Sequence, residues 1–237
     1  MPIHSIPGFE EPFSSFSHLF AAPVFLVWGI LLIRQHGKGA LRCTGLILLL
    51  LATVFLLSMS GVYHLLGDGI ARDVLRHLDI AGVFALIAAT ATPIHVAAFR
   101  GWLRWMPLGI WWSVAASGIT LRTIFSDSLP FVVGTMIFLA MGWGGVFTCG
   151  ILWRRYGFYF VELLLYGGIA YSIGAVAMSL HYPTLIPGVI GPHEFWHVAV
   201  LVGLFFHWLF IAKCMRAFEE DGEFKSKSKK ADETEEQ

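Results

Sequence analysis

Apolar runs of about twenty residues, separated by short charged connectors, dominate this chain and restrict its fold more than any other feature. A helix crossing the roughly 30 Å hydrocarbon core of a bilayer needs about 20 apolar residues. It suits lipid because it satisfies its own backbone hydrogen bonds. Seven spans are read, over residues 16–33, 44–66, 78–98, 105–122, 130–152, 158–179 and 194–213. The fourth is the weakest, diluted by Ser113, Ser117 and Thr120. Asp, Glu, Lys and Arg make up only 14% of the 237 residues, against about 25% in a soluble domain. The expectation is an all-α membrane protein, a seven-transmembrane-helix bundle.

The connectors are short enough to make consecutive helices antiparallel neighbours, so the membrane part is one domain. It covers residues 16–213, after a short N-terminal segment (1–15) and before a charged tail (214–237) whose composition predicts disorder. The formal net charge is zero, which gives no electrostatic footprint for nucleic acid. Cys43, Cys149 and Cys214 form no CxxC pair and read as small buried hydrophobes. Glycines at 134, 142, 144, 145, 167, 168 and 174 predict close helix packing. No Lys or Arg precedes Arg34, so the first span reads as a retained helix and not a signal peptide.

An odd number of spans puts the termini on opposite sides. Arg72, Arg76 and Arg122 fall on the N-terminal side. Arg34, Lys38, Arg42, Arg100, Arg104, Arg154, Arg155, Lys213, Arg216 and the tail lysines fall on the other. The positive-inside rule then makes the C-terminus cytoplasmic, in what reads as a bacterial inner (plasma) membrane.

Antiparallel order also collects polar residues at one depth. Span two ends near Ser60 and His64, span three begins near Asp79, and span seven begins near His193 and His197. Residues four apart on a helix face the same point, which pairs His193 with His197 and Ser60 with His64. Three imidazoles suit Zn2+ with a fourth position open to water, and zinc would make that water a nucleophile near neutral pH. Asp79 could accept or hold its proton, and Ser60 could donate to a developing oxyanion. Structural histidines that hydrogen-bond between helices are the other reading, and the residues alone leave both open.

Other polar groups compete for this site. His18 opens span one on the same side and could substitute as a ligand, with an interfacial role as its default. Asp68 and Asp73 could replace Asp79, with solvated loop charges as their default. His77 could pair with a loop carboxylate. His207 reads as an internal polar contact, His95 as remote at the far end of span three, and His181 as solvated. Ser14 or Ser15 could cap span one or support the metal face.

At these residues the chain resembles the hemolysin III and adiponectin-receptor family, the seven-helix progestin and adipoQ receptors. Glu11-x-x-Ser14-x-x-Ser17-His18 resembles its N-terminal motif, with Ser14 where the family usually has Asn. Ser60-x-x-x-His64 followed by Asp79 resembles its second motif, and His193-x-x-x-His197 its third. The resemblance implies zinc held by His64, His193 and His197, with Asp79 holding the zinc-bound water and Ser60 close by. It also implies kinship with alkaline ceramidases, which cleave a lipid amide. Adiponectin-receptor-like members put the N-terminus and zinc at the cytoplasmic side, opposite to the charge count here.

Together these readings favour an intramembrane zinc hydrolase acting on a lipid amide or ester. The alternative is a receptor or membrane-homeostasis regulator with structural zinc. A membrane lipid is the expected substrate or ligand in either case. A channel, transporter or hemolysin ranks below both, because the span centres lack the polar residues a conduction path needs.

Overall fold

Every apolar run becomes a helix, as the absence of water in a bilayer core requires. The computed structural model describes residues 10–125 and 131–235. The elements are α1 (Pro12–His36), α2 (Ala40–Leu65), α3 (Ile70–Ala98), α4 (Trp102–Ile124), α5 (Phe131–Trp143), α6 (Gly145–Tyr156), α7 (Phe158–Ser179) and α8 (Pro192–Glu235). The connection between the fourth and fifth expected spans lies mostly at 126–130, outside the described residues. The molecule is an all-α, multi-pass membrane-helix bundle. Six stretches of the described residues are long and apolar enough to cross a membrane: α1, α2, α3, Met136–Tyr156, α7 and Pro192–Phe218. The serine-diluted α4 is not among them.

Two elements differ from their sequence expectation. The fifth span is broken at Gly144 into α5 and α6, where Gly142, Gly144 and Gly145 weaken the helix. Helix α8 continues as backbone helix to Glu235, where composition predicts a disordered tail. Its packed apolar part supplies a nucleus, and the Glu, Lys and Ala beyond are good helix formers.

The core runs between α1, α2, α3, α7 and α8, around Leu49, Leu57, Leu204, Trp208 and Ile211, all fully buried. Close packing through glycine holds for α7 against α8. A Cβ on Gly174 would lie 2.4 Å from the Ala199 Cβ, and one on Gly167 would lie 2.2 Å from the His207 ring. It does not hold for Gly142, Gly145 and Gly168, whose Cβ positions meet nothing within 4 Å. Cys43, Cys149 and Cys214 are free.

The two ends of the bundle are fixed by polar contacts. At the far end from the site, Arg42 at the start of α2 donates to the Phe218 carbonyl of α8 (2.8 Å). Also there, His95 near the end of α3 bonds the Leu103 carbonyl (3.0 Å) and Thr148 Oγ1 of α6 (2.9 Å). At the near end the backbone of Glu11 donates to the His64 carbonyl (3.0 Å), which straps the chain before α1 onto the end of α2.

Candidate metal centre

His64 comes from the last turn of α2, and His193 and His197 from the first turns of α8. The His193 and His197 Nε2 atoms are 3.0 Å apart, and those of His64 and His193 are 3.5 Å apart. One ligand atom from each ring lies within 4.8 Å of the other two. Ligands about 2.0–2.1 Å from zinc at a tetrahedral angle would be about 3.3 Å apart, so the spacing fits one ion. His64 and His197 are buried, and His193 is half-buried.

The opposite ring edges show why the Nε2 atoms are free to bind. His64 Nδ1 lies 2.8 Å from Glu11 Oε2, an ion-pair contact without the alignment of a good hydrogen bond. A carboxylate accepts only, so Nδ1 carries the ring proton and Nε2 keeps its lone pair. His197 Nδ1 lies 3.0 Å from His18 Nε2. Lone pairs converging in a buried space would be well served by a cation between them.

Glu11 is itself held by Arg72 Nη2 at 2.8 Å and lies 3.5 Å from His193 Nε2. Burial alone would raise its carboxyl pKa. The close His64 ring, with His193 and the Arg72 guanidinium, outweighs burial and holds it at about 2.

Asp79 and Ser60 line the same cavity as the three imidazoles. The Ser60 hydroxyl lies near the Asp79 carboxylate. Asp79 falls outside the imidazole group that shares a 4.8 Å radius, so it neighbours the ligand set without joining it. The cavity has a volume of about 380 Å³ and reaches along α3 from Asp79 to His95. Its wall is mainly apolar, with Val83, Leu86, Ile87 and Trp196 among the lining. Gly142, Gly145 and Gly168 leave space along it. It reaches the bundle surface beside Trp143, Val146 and Ile169, which are exposed.

The competing groups separate cleanly. His18 is buried against His197 and is not interfacial. Ser14 and Ser15 do not cap α1, whose N-cap is Glu11 with no side-chain cap bond. Both are fully buried. Ser15 donates to the Gly61 carbonyl (2.8 Å), and Ser14 faces Glu194 Oε1 (3.5 Å). Asp68, Asp73 and His181 are exposed. His77 bonds the Asp73 carbonyl within α3 (2.7 Å). His207 is the expected internal contact, with the Leu164 carbonyl at 3.2 Å.

Sequence reasoning missed Glu194, which is 1% exposed. The available signal was the H-E-x-x-H spacing of His193-Glu194-Phe195-Trp196-His197, in which the Glu of a zinc peptidase is the general base. Here Glu194 Oε2 accepts the Gly191 backbone N–H at 2.9 Å. This is the helix-capping half of a capping box. Glu194 is absent from the cavity wall, whereas Asp79 is on it.

The sequence pattern of the haemolysin-III-related family matches residues 8–208, a range that holds every residue of this site. A hemolysin-3 homolog of Bacillus subtilis (strain 168) is 30% identical over 167 residues, 67% of this chain and 75% of its own. The hemolysin-3 of Bacillus cereus is 29% identical over 185 residues, 76% of this chain and 81% of its own.

Proposed function

The chain belongs to the haemolysin-III-related family, and from that premise we propose that it is an intramembrane zinc hydrolase acting on a lipid amide or ester. One observation carries this reading. Three convergent imidazole nitrogens open, beside an aspartate and a serine, onto a largely apolar cavity that reaches the bundle surface. When bound, a zinc ion would polarise a carbonyl and acidify water toward neutral pH. His64, His193 and His197 would hold it. The Asp79 carboxylate would take the proton of the attacking water, and Ser60 would orient Asp79. The apolar wall would seat an acyl chain, with its carbonyl at the imidazole end.

The proposed topology has seven spans. His95 bonds Thr148, which puts α6 at the far end of the bundle. Helix α5 then starts at the near end, and α4 has to cross back to reach it. Its 23 residues give about 34 Å at about 1.5 Å per residue, enough for the crossing. A bacterial plasma membrane with a cytoplasmic C-terminus is part of this proposal, supported by the relatives' bacterial sources and the charge count. The lytic activity in the relatives' names would need a polar path through the full thickness, and the lining of this cavity is mainly apolar.

The test is release of fatty acid from long-chain N-acyl amides and acyl esters by the protein in detergent–lipid micelles, with and without zinc. The reading predicts zinc-dependent release, lost in His64→Ala and reduced about 10²- to 10⁴-fold in Asp79→Asn, as for removal of a general base. Full zinc occupancy with no release from either lipid class would instead leave zinc a structural role.

A further inference from the structure

We propose that Glu11 and His18 are the positioning residues of the metal centre, each fixing one ligand through its Nδ1. This rests on the metal reading and concerns residues that would not touch the ion. Glu11 belongs to the strap that leads into α1, and His18 to the second turn of α1 itself. The strap is tied down independently of any ion, by the Glu10 and Glu11 backbone N–H groups on the Leu65 and His64 carbonyls (3.3 and 3.0 Å) and by Ser15 on the Gly61 carbonyl.

Two of the ligands then have matching outer partners of different chemistry. Glu11 Oε2 sits 2.8 Å from His64 Nδ1, and its second oxygen is anchored by Arg72 at 2.8 Å. A carboxylate there makes Nδ1 the protonated nitrogen and raises the basicity of Nε2. His18 Nε2 sits 3.0 Å from His197 Nδ1. If His197 binds the ion through Nε2, its Nδ1 must donate, so His18 must accept through Nε2 and stay neutral. With an ion bound through Nε2, His64 and His197 are therefore both held as Nδ1–H tautomers. The half-buried His193 is the ligand left to adjust.

Cobalt(II) titration of the purified full-length protein in detergent tests this, read by visible absorption and by competition with a chelator. Wild type, Glu11→Gln, Glu11→Ala, His18→Gln, His18→Ala and the ligand variant His197→Ala are compared, with thermal unfolding of each apo form as the folding control. The expected result is about one cobalt per chain at saturation in the Glu11 and His18 variants. Their affinity should fall about 10- to 100-fold, less for Glu11→Gln than for Glu11→Ala because the amide oxygen still accepts. The ligand-field bands should shift, and His197→Ala should lose the site. Unchanged affinity and spectrum in Glu11→Ala and His18→Ala would overturn the positioning role while leaving the metal reading intact. Loss of stoichiometric binding in His18→Ala at saturating cobalt would make His18 a ligand and also overturn it. No cobalt binding by wild type would remove the metal reading itself, and the positioning role with it.

Discussion

Glu11 links the chemistry of single residues to a measurable pH dependence. In the metal-free protein its carboxyl sits at about 2 instead of the ordinary 4.5. A carboxyl depressed in the folded state adds stability that is complete above the unfolded pKa and is lost as pH falls through the folded one. The apo protein should therefore lose stability between about pH 4.5 and pH 2, and Glu11→Gln should flatten that part of a thermal-unfolding profile. An identical acid limb in the variant would contradict the ion-pair account. Ser15 gives a simpler case. Its hydroxyl is fully buried on the Gly61 carbonyl, so Ser15→Ala removes a bond made in addition to the helical one and should cost about 0.5–1.5 kcal/mol in unfolding free energy. The grouping of the three imidazoles was legible in the sequence because each sits at the end of an apolar span. The roles of Glu11 and His18 were not, because nothing in local spacing says which ring a residue on another helix will meet.

At the level of elements, the start of α8 decides which carboxylate can do chemistry. Glu194 is used on the Gly191 N–H, and Asp79 faces the cavity. Glu194→Gln should keep both cap and metal, since Gln serves equally in a capping box. Glu194→Ala should lower stability by about 1 kcal/mol. If lipid turnover is found, it should survive Glu194→Gln and fall in Asp79→Asn. The reverse pattern in a rate assay would make Glu194 the base. Helix positions were legible because hydropathy reports burial in lipid directly. The break at Gly144 was not, because an average over a span cannot see one interrupted turn. The glycine cluster at 142–145 was the available sign.

Over the whole molecule, the site joins α2 to α8, elements distant in sequence. An ion bound there is bound only by the folded chain. Chelation should lower the unfolding temperature, and the gain at 100-fold excess over Kd is about 2.7 kcal/mol. The cavity makes a separate prediction. A side chain at Gly168 meets nothing within 4 Å, so Gly168→Leu should fold and bind metal normally. It should also slow turnover of long acyl substrates relative to short ones, as measured with a chain-length series. The cavity itself was not legible in the sequence, because it depends on which glycines face a gap and which face a neighbouring helix.

A metal centre formed by His64, His193 and His197 should carry its ion through purification. Metal content per chain, measured by mass spectrometry on protein purified without chelators, tests it most directly, beside the double variant His193→Ala/His197→Ala. About one zinc per wild-type chain is expected, and none in the variant. A wild-type protein without metal, or a variant that keeps it, would contradict the claim.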